Sequence, residues 1–191
     1  MDYQNDFASP KWSFKVKKGE LLLPYINNLI NEIKQRSWII ISTQDWHPDN
    51  HNSFAKTHNL QDYSSLDGEM KWPIHCVKDT WWADFMNWLD VSKIDHKIYK
   101  WISKDVDSYS GFWWIELQTW KSLDEILKEY NIKLLNVVWL ATDFCVWATV
   151  LDGLEKWYDV NFHKNWSAWV FPTVEHYQVY ENMKSAWANF I

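Results

Sequence analysis

Leu22, Tyr25, Ile26, Leu29, Ile30 and Ile33 recur at the spacing of one helix face, with Pro24 acceptable in a first turn. The pattern then changes. Trp38-Ile39-Ile40-Ile41-Ser42-Thr43 is a short run rich in β-branched residues, which predicts a buried strand. Residues 45–80 are polar and irregular, too long for a simple connection and therefore a candidate functional loop. Lys97-Ile98-Tyr99 predicts a short strand, and Ser122 and Glu125 are spaced as a capping box at the start of a helix. Further on, Lys133–Val138 predicts a strand, Phe144–Lys156 a helix, Asp159–Phe162 a weaker strand and Thr173–Ala188 a last helix.

Strands alternating with helices imply an α/β fold, three layers with a mostly parallel central sheet. With 191 residues, no repeats and no linker, one domain over 1–191 is expected. Ligands of such sheets collect at the carboxyl ends of strands. Asp45, Lys100 and Cys145 all follow predicted strands, so the pattern brings them to one edge.

Charge and composition narrow the function. The net charge of −6 and the lack of a basic block disfavour nucleic acid and anionic membrane surfaces as partners. No apolar stretch is long enough to span a membrane, no signal segment opens the chain, and two cysteines make no disulfide framework. A cytoplasmic protein is the expectation.

Cys145 falls at a predicted helix start, where backbone N–H groups and the helix dipole favour a thiolate nucleophile. A lone cysteine is as often a buried structural residue, so position alone leaves both readings open. Lys100 is a candidate for stabilising negative charge, and Asp2 for acid–base work. In the long loop, Asp45 and His47 alternate and can point one way; with His75 they form a His₂–carboxylate set suited to a metal with open positions. Cys76 reads better as a buried neighbour than as a fourth ligand.

Five stretches, DYQNDF at 2–7, STQDWHPDNHNSFA at 42–55, KWPIHCV at 71–77, DSYSGF at 107–112 and LATDFCV at 140–146, resemble the nicotinamidases of the isochorismatase-like cysteine hydrolase family. The resemblance spans essentially the whole chain. It implies hydrolysis of nicotinamide, a small-molecule substrate, to nicotinate and ammonia in NAD salvage, through a thioester on Cys145. Asp2 would move the proton, Lys100 would complete the triad, and the amides of Ala141 and Cys145 would form the oxyanion hole beside a cis Leu140–Ala141 bond. One divalent metal ion (zinc, iron or manganese) would sit on Asp45, His47 and His75, with His51 or Ser53 supporting it directly or through water. Phe7, Trp72 and Tyr109 would wall the ring. Alternatives are another amide or carbamoyl substrate on the same fold, or a non-catalytic scaffold; the family is also compatible with homo-oligomers.

Two departures stand out. The family has a strand before the position of Asp2, whereas this chain opens at Met1; a misplaced start codon or a gene fragment is the expectation, with unpaired backbone beside Asp2. Composition gives the second. The chain has 17 Trp and 4 Gly, about 2% Gly against a usual level of about 7%. Trp12, Trp38, Trp82, Trp88, Trp101, Trp113, Trp114, Trp120, Trp139, Trp147, Trp157, Trp166, Trp169 and Trp187 stand where the family or simple turn chemistry calls for glycine, unlike Trp46, Trp72 and Trp81. Exchanging those 14 would leave 3 Trp and 18 Gly, both ordinary counts. The expectation is a reassigned UGA codon, glycine in the cell and tryptophan in this translation. A chain made as written should give little soluble protein.

Overall fold

A computed structural model describes residues 1–9, 16, 19–171 and 176–191. Its regular elements are α1 (Leu23–Gln35), β1 (Ile41–Asp45), β2 (His96–Lys100), α2 (Leu123–Glu129), β3 (Leu134–Leu140), α3 (Trp147–Glu155), β4 (Asp159–Ala168), α4 (His176–Ser185) and β5 (Asn189–Phe190). The alternation of strand and helix is the expected one, and every pairing among these strands is parallel.

Local sequence explains most of these elements. Pro24 sits in the first turn of α1, where its missing N–H costs nothing, and Ile26 and Ile30 bury one face. The capping box of α2 forms in full: Glu125 N–H donates to Ser122 Oγ at 3.3 Å, and Ser122 N–H donates to the Glu125 carboxylate at 2.8 Å. Three boundaries differ from expectation. β1 begins at Ile41 rather than Trp38, because its partner begins at His96 and register starts there. Between Ala141 and α3, Thr142–Val146 forms a π turn, so Cys145 lies inside a wide turn rather than at an α-helix start. β4 runs on to Ala168, well beyond the weak Asp159–Phe162 signal. The last predicted helix begins at 173, and its first three residues lie outside the described residues.

β1 pairs β2, while β3 pairs β4 and β4 pairs β5. Met1 and Asp2 bridge the two groups. Met1 N donates to Val138 O at 3.3 Å, Leu140 N–H donates to Met1 O at 3.5 Å, and Asp2 N–H donates to Thr43 O at 3.2 Å. The expected unpaired amide beside Asp2 is thus not found.

Two apolar clusters flank the sheet, and neighbouring Val137 and Val138 go one to each, as a two-residue period requires. One cluster holds Tyr3, Phe7, Ile26, Ile30, Trp72 and Leu140. The other holds Ile98 of β2, Ile126 of α2, Val146 of the π turn, Val150 of α3, Phe162 of β4 and Met183 of α4. This three-layer arrangement leaves the carboxyl ends of β1, β2 and β3 to converge on one cavity.

Candidate active site

Asp45 and Lys100 are the last residues of paired strands and face each other in register. Lys100 is fully buried, with its Nζ 2.6 Å from Asp45 Oδ1, 3.0 Å from Asp2 Oδ2 and 3.1 Å from Cys145 Sγ. Burial alone would depress the ammonium, but the Asp2 and Asp45 carboxylates outweigh it and hold its pKa well above the usual lysine value. Asp2 is fixed from its other oxygen, which accepts from Thr43 Oγ1 at 2.5 Å. Its φ of 44° is an uncommon left-handed geometry for a non-glycine residue, of the kind that clusters at functional sites.

Opposing influences meet at the Cys145 thiol. Burial pushes its pKa well above the ordinary cysteine value; Lys100 pulls it down, and Asp2 and Asp45 push it up again. Burial beside two carboxylates thus opposes the thiolate that a helix start would favour, with Lys100 Nζ at 3.1 Å acting the other way. Oxygens of Asp2 and Asp45 and the Cys145 sulfur all lie within 4.8 Å of one another.

Donor atoms of Asp45, His47 and His75 also lie within 4.8 Å of one another, all three buried. Burial, then the neighbouring His75 and His51, keep the His47 pKa well below the usual histidine value. Burial pushes His75 down to about 4, against the opposing pull of the Pro73 carbonyl. Its Nδ1–H donates to that carbonyl at 2.8 Å, which places the lone pair of the neutral ring on Nε2. Neutral imidazoles are what a metal requires, and His47 Nδ1 is buried with no hydrogen-bond partner among the described residues. Charge points the same way. Burial raises the Asp45 pKa to about 7 despite Lys100, and Asp2 adds to the rise. Two buried carboxylates on one ammonium leave a site short of positive charge. The donor set fits a divalent cation.

His51 and Ser53 are placed differently. Ser53 N–H donates to His51 Nδ1 at 3.0 Å, so His51 Nε2–H donates to Val106 O at 3.2 Å. Both ring nitrogens are engaged by the protein, and direct ligation by His51 would break one of these bonds. The ring packs edge-on against His47 at 4.9 Å, and Ser53 lines the cavity.

That cavity opens to solvent and is lined by Asp2, Phe7, Asp45, His47, Ser53, Trp72, His75, Tyr109, Ala141 and Cys145 among others. Trp72 Nε1–H donates to the Tyr109 hydroxyl at 3.0 Å, tying two of the expected walls together. The Leu140–Ala141 peptide is cis. Phe144, Val170 and Trp101 also line the cavity, and sequence reasoning does not single them out as walls. For Phe144 the signal is its place beside Cys145; Val170 has no sequence signal, since β4 and the segment after it bring it in.

A buried cysteine joined through one lysine to two carboxylates, beside a His₂–carboxylate group, is the equipment of a metal-assisted cysteine hydrolase. The isochorismatase domain profile matches residues 1–191, and the chain belongs to that family. It is 38% identical over 165 residues to the nicotinamidase of Escherichia coli (strain K12), covering 84% of this chain and 77% of that one. The structure of the yeast nicotinamidase superposes with a TM-score of 0.86 at 29% identity, covering 100% of this chain and 96% of that chain. The pyrazinamidase of Pyrococcus horikoshii in complex with zinc superposes with a TM-score of 0.81 at 29% identity, covering 100% of this chain and 94% of that one.

Proposed function

We propose that this protein hydrolyses nicotinamide to nicotinate and ammonia, a step of pyridine nucleotide salvage, in the cytoplasm. The observation that carries the reading is Lys100 Nζ in contact with Asp2, Asp45 and Cys145 in one cavity with the metal donors. The nicotinamidases to which the chain is similar support the choice of substrate.

Phe7, Trp72 and Tyr109 offer flat apolar walls to a pyridine ring. Cys145 Sγ attacks the amide carbon while Asp2 accepts the thiol proton, and the C=O electron pair moves to the oxygen. The amides of Ala141 and Cys145 stabilise that oxyanion, donors being most effective where water is excluded. Collapse breaks the C–N bond, and Asp2 returns its proton to the departing ammonia. Water then adds to the thioester, giving nicotinate and restoring the thiol. Lys100 keeps Asp2 oriented and offsets the negative charge that passes between sulfur and carboxylate. Asp45, His47 and His75 would hold zinc, iron or manganese, which when bound supplies a Lewis acid for the pyridine nitrogen.

The test is ammonia release from nicotinamide by the zinc-loaded protein, with Cys145→Ala as control. Release that the control lacks is the expected result. A folded, metal-loaded protein that releases none would overturn the nicotinamide reading.

A further inference from the structure

Left-handed backbone is where glycine is at home and where a bulky side chain is a genuine outlier. Six tryptophans occupy it: Trp88 (φ 73°), Trp101 (62°), Trp120 (60°), Trp139 (87°), Trp157 (67°) and Trp187 (72°). Trp46, Trp72 and Trp81 do not. Of the other tryptophans that stand in place of an expected glycine, seven have no positive φ, and Trp12 lies outside the described residues.

Hydrogen bonding at the helix ends identifies what two of these positions require. After α3, Trp157 N–H donates to Leu154 O at 3.0 Å and Tyr158 N–H to Gly153 O at 3.0 Å. After α4, Trp187 N–H donates to Lys184 O at 2.9 Å and Ala188 N–H to Met183 O at 3.0 Å. This pair of bonds is the Schellman closure, whose turning residue is usually glycine and sometimes asparagine. α2 closes the same way on Asn131, with Asn131 N–H to Lys128 O at 3.0 Å and Ile132 N–H to Leu127 O at 2.9 Å. Trp157 and Trp187 are 94% and 86% exposed, so no packing accounts for an aromatic ring there. Trp139 marks the register shift between β3 and β4, a bulge position that glycine commonly fills.

Trp101 bears on the active site. It follows Lys100, is buried, and stacks on His47 with ring centroids 5.3 Å apart and planes at 21°. It also meets His51 edge-on at 5.4 Å and lines the cavity with Asp45 and His75.

We infer that positions 88, 101, 120, 139, 157 and 187 are glycine in the protein its own cells make, encoded by UGA read as glycine. Glycine at 101 leaves the face of His47 clear and opens the space beside the metal donors; this consequence rests on the metal-dependent reading above. The coding DNA and peptide mass spectrometry of the protein from its source cells test the assignment. UGA at the six positions, UGG at 46, 72 and 81, and glycine in the native peptides are expected. UGG at the six, or tryptophan in those peptides, overturns it. A second measurement addresses position 101 alone. Zinc titration compares two chains that carry glycine at the other five sites, one with Trp101 and one with Trp101→Gly. The glycine form should bind zinc more tightly, because no ring then fills the space beside the His47 and Asp45 donors. Equal affinity overturns the role given to position 101. Two folded chains that both ignore zinc refute the metal reading instead, and the codons still decide the glycines.

Discussion

Replacing Trp88, Trp120, Trp157 and Trp187 by glycine should stabilise the chain, although such substitutions normally weaken a protein. All four have positive φ, and all are at least 72% exposed, so losing the ring forfeits little buried surface. Left-handed backbone costs an L-residue about 1–2 kcal/mol. Glycine gives back about 0.5–1 kcal/mol through the greater freedom of the unfolded chain. The net gain is then about 0.5–1 kcal/mol at each site. Sites that share no partners add, giving about 2–4 kcal/mol for the four. In a chain of this length each kcal/mol moves the midpoint by about 2–4 °C, so the fourfold variant should melt roughly 5–15 °C higher. The assay is a thermal melt followed by circular dichroism, with soluble yield recorded beside it. Trp113→Gly is the control: the ring is 69% exposed, but its backbone φ is not positive, so glycine there should be neutral or destabilising. A fourfold variant that melts no higher than the parent, or a control that gains as much per site, would refute the argument from backbone geometry.

Lys100→Met should lower stability by about 3–5 kcal/mol in metal-free protein, because Asp2 and Asp45 would be left buried without their counter-ion. Adding Asp45→Asn should recover part of that loss in chemical denaturation, and full additivity would count against the pairing. His75→Ala should empty the metal site, read as a fall in zinc per chain by elemental analysis while the circular dichroism spectrum holds. Asp6 offers a pH test at a buried carboxyl that holds the Cys76 amide. Burial raises its pKa from 3.8 to about 6, against the pull of the Cys76 amide, which donates to it at 2.5 Å. The folded state therefore holds a proton that the unfolded state releases, so this group's contribution to stability is full below about 4 and is lost as pH rises through about 6. Asp6→Asn should flatten that slope in denaturation curves measured across the interval; an unchanged slope would place its origin elsewhere.

Features set by neighbours along the chain are legible in the sequence alone. The apolar spacing of α1, the Ser122–Glu125 cap and the placing of Asp45 and Lys100 at strand ends are local patterns, and the fold keeps all of them. Family motifs single out Asp2, Phe7, His47, Trp72, His75, Tyr109, Ala141 and Cys145, and the fold gathers them around one cavity. The tryptophan excess can be counted in the sequence, but counting cannot say which positions demand glycine. Left-handed backbone becomes visible only when helix closures and the β3–β4 register are known. Tertiary structure alone also decided the start of β1, the entry of Val170 into the cavity, the engagement of both His51 nitrogens and the burial of Cys145 beside Asp2 and Asp45. Each depends on groups far apart in the chain: His96 sets where β1 begins to pair, and Val106 takes the second nitrogen of His51. For Cys145, a helix start argues for a thiolate, while burial beside Asp2 and Asp45 argues for a thiol. Sequence displays the first influence because it acts within one turn. The second is visible only in the fold because desolvation and charge act through space, between residues that only folding brings together.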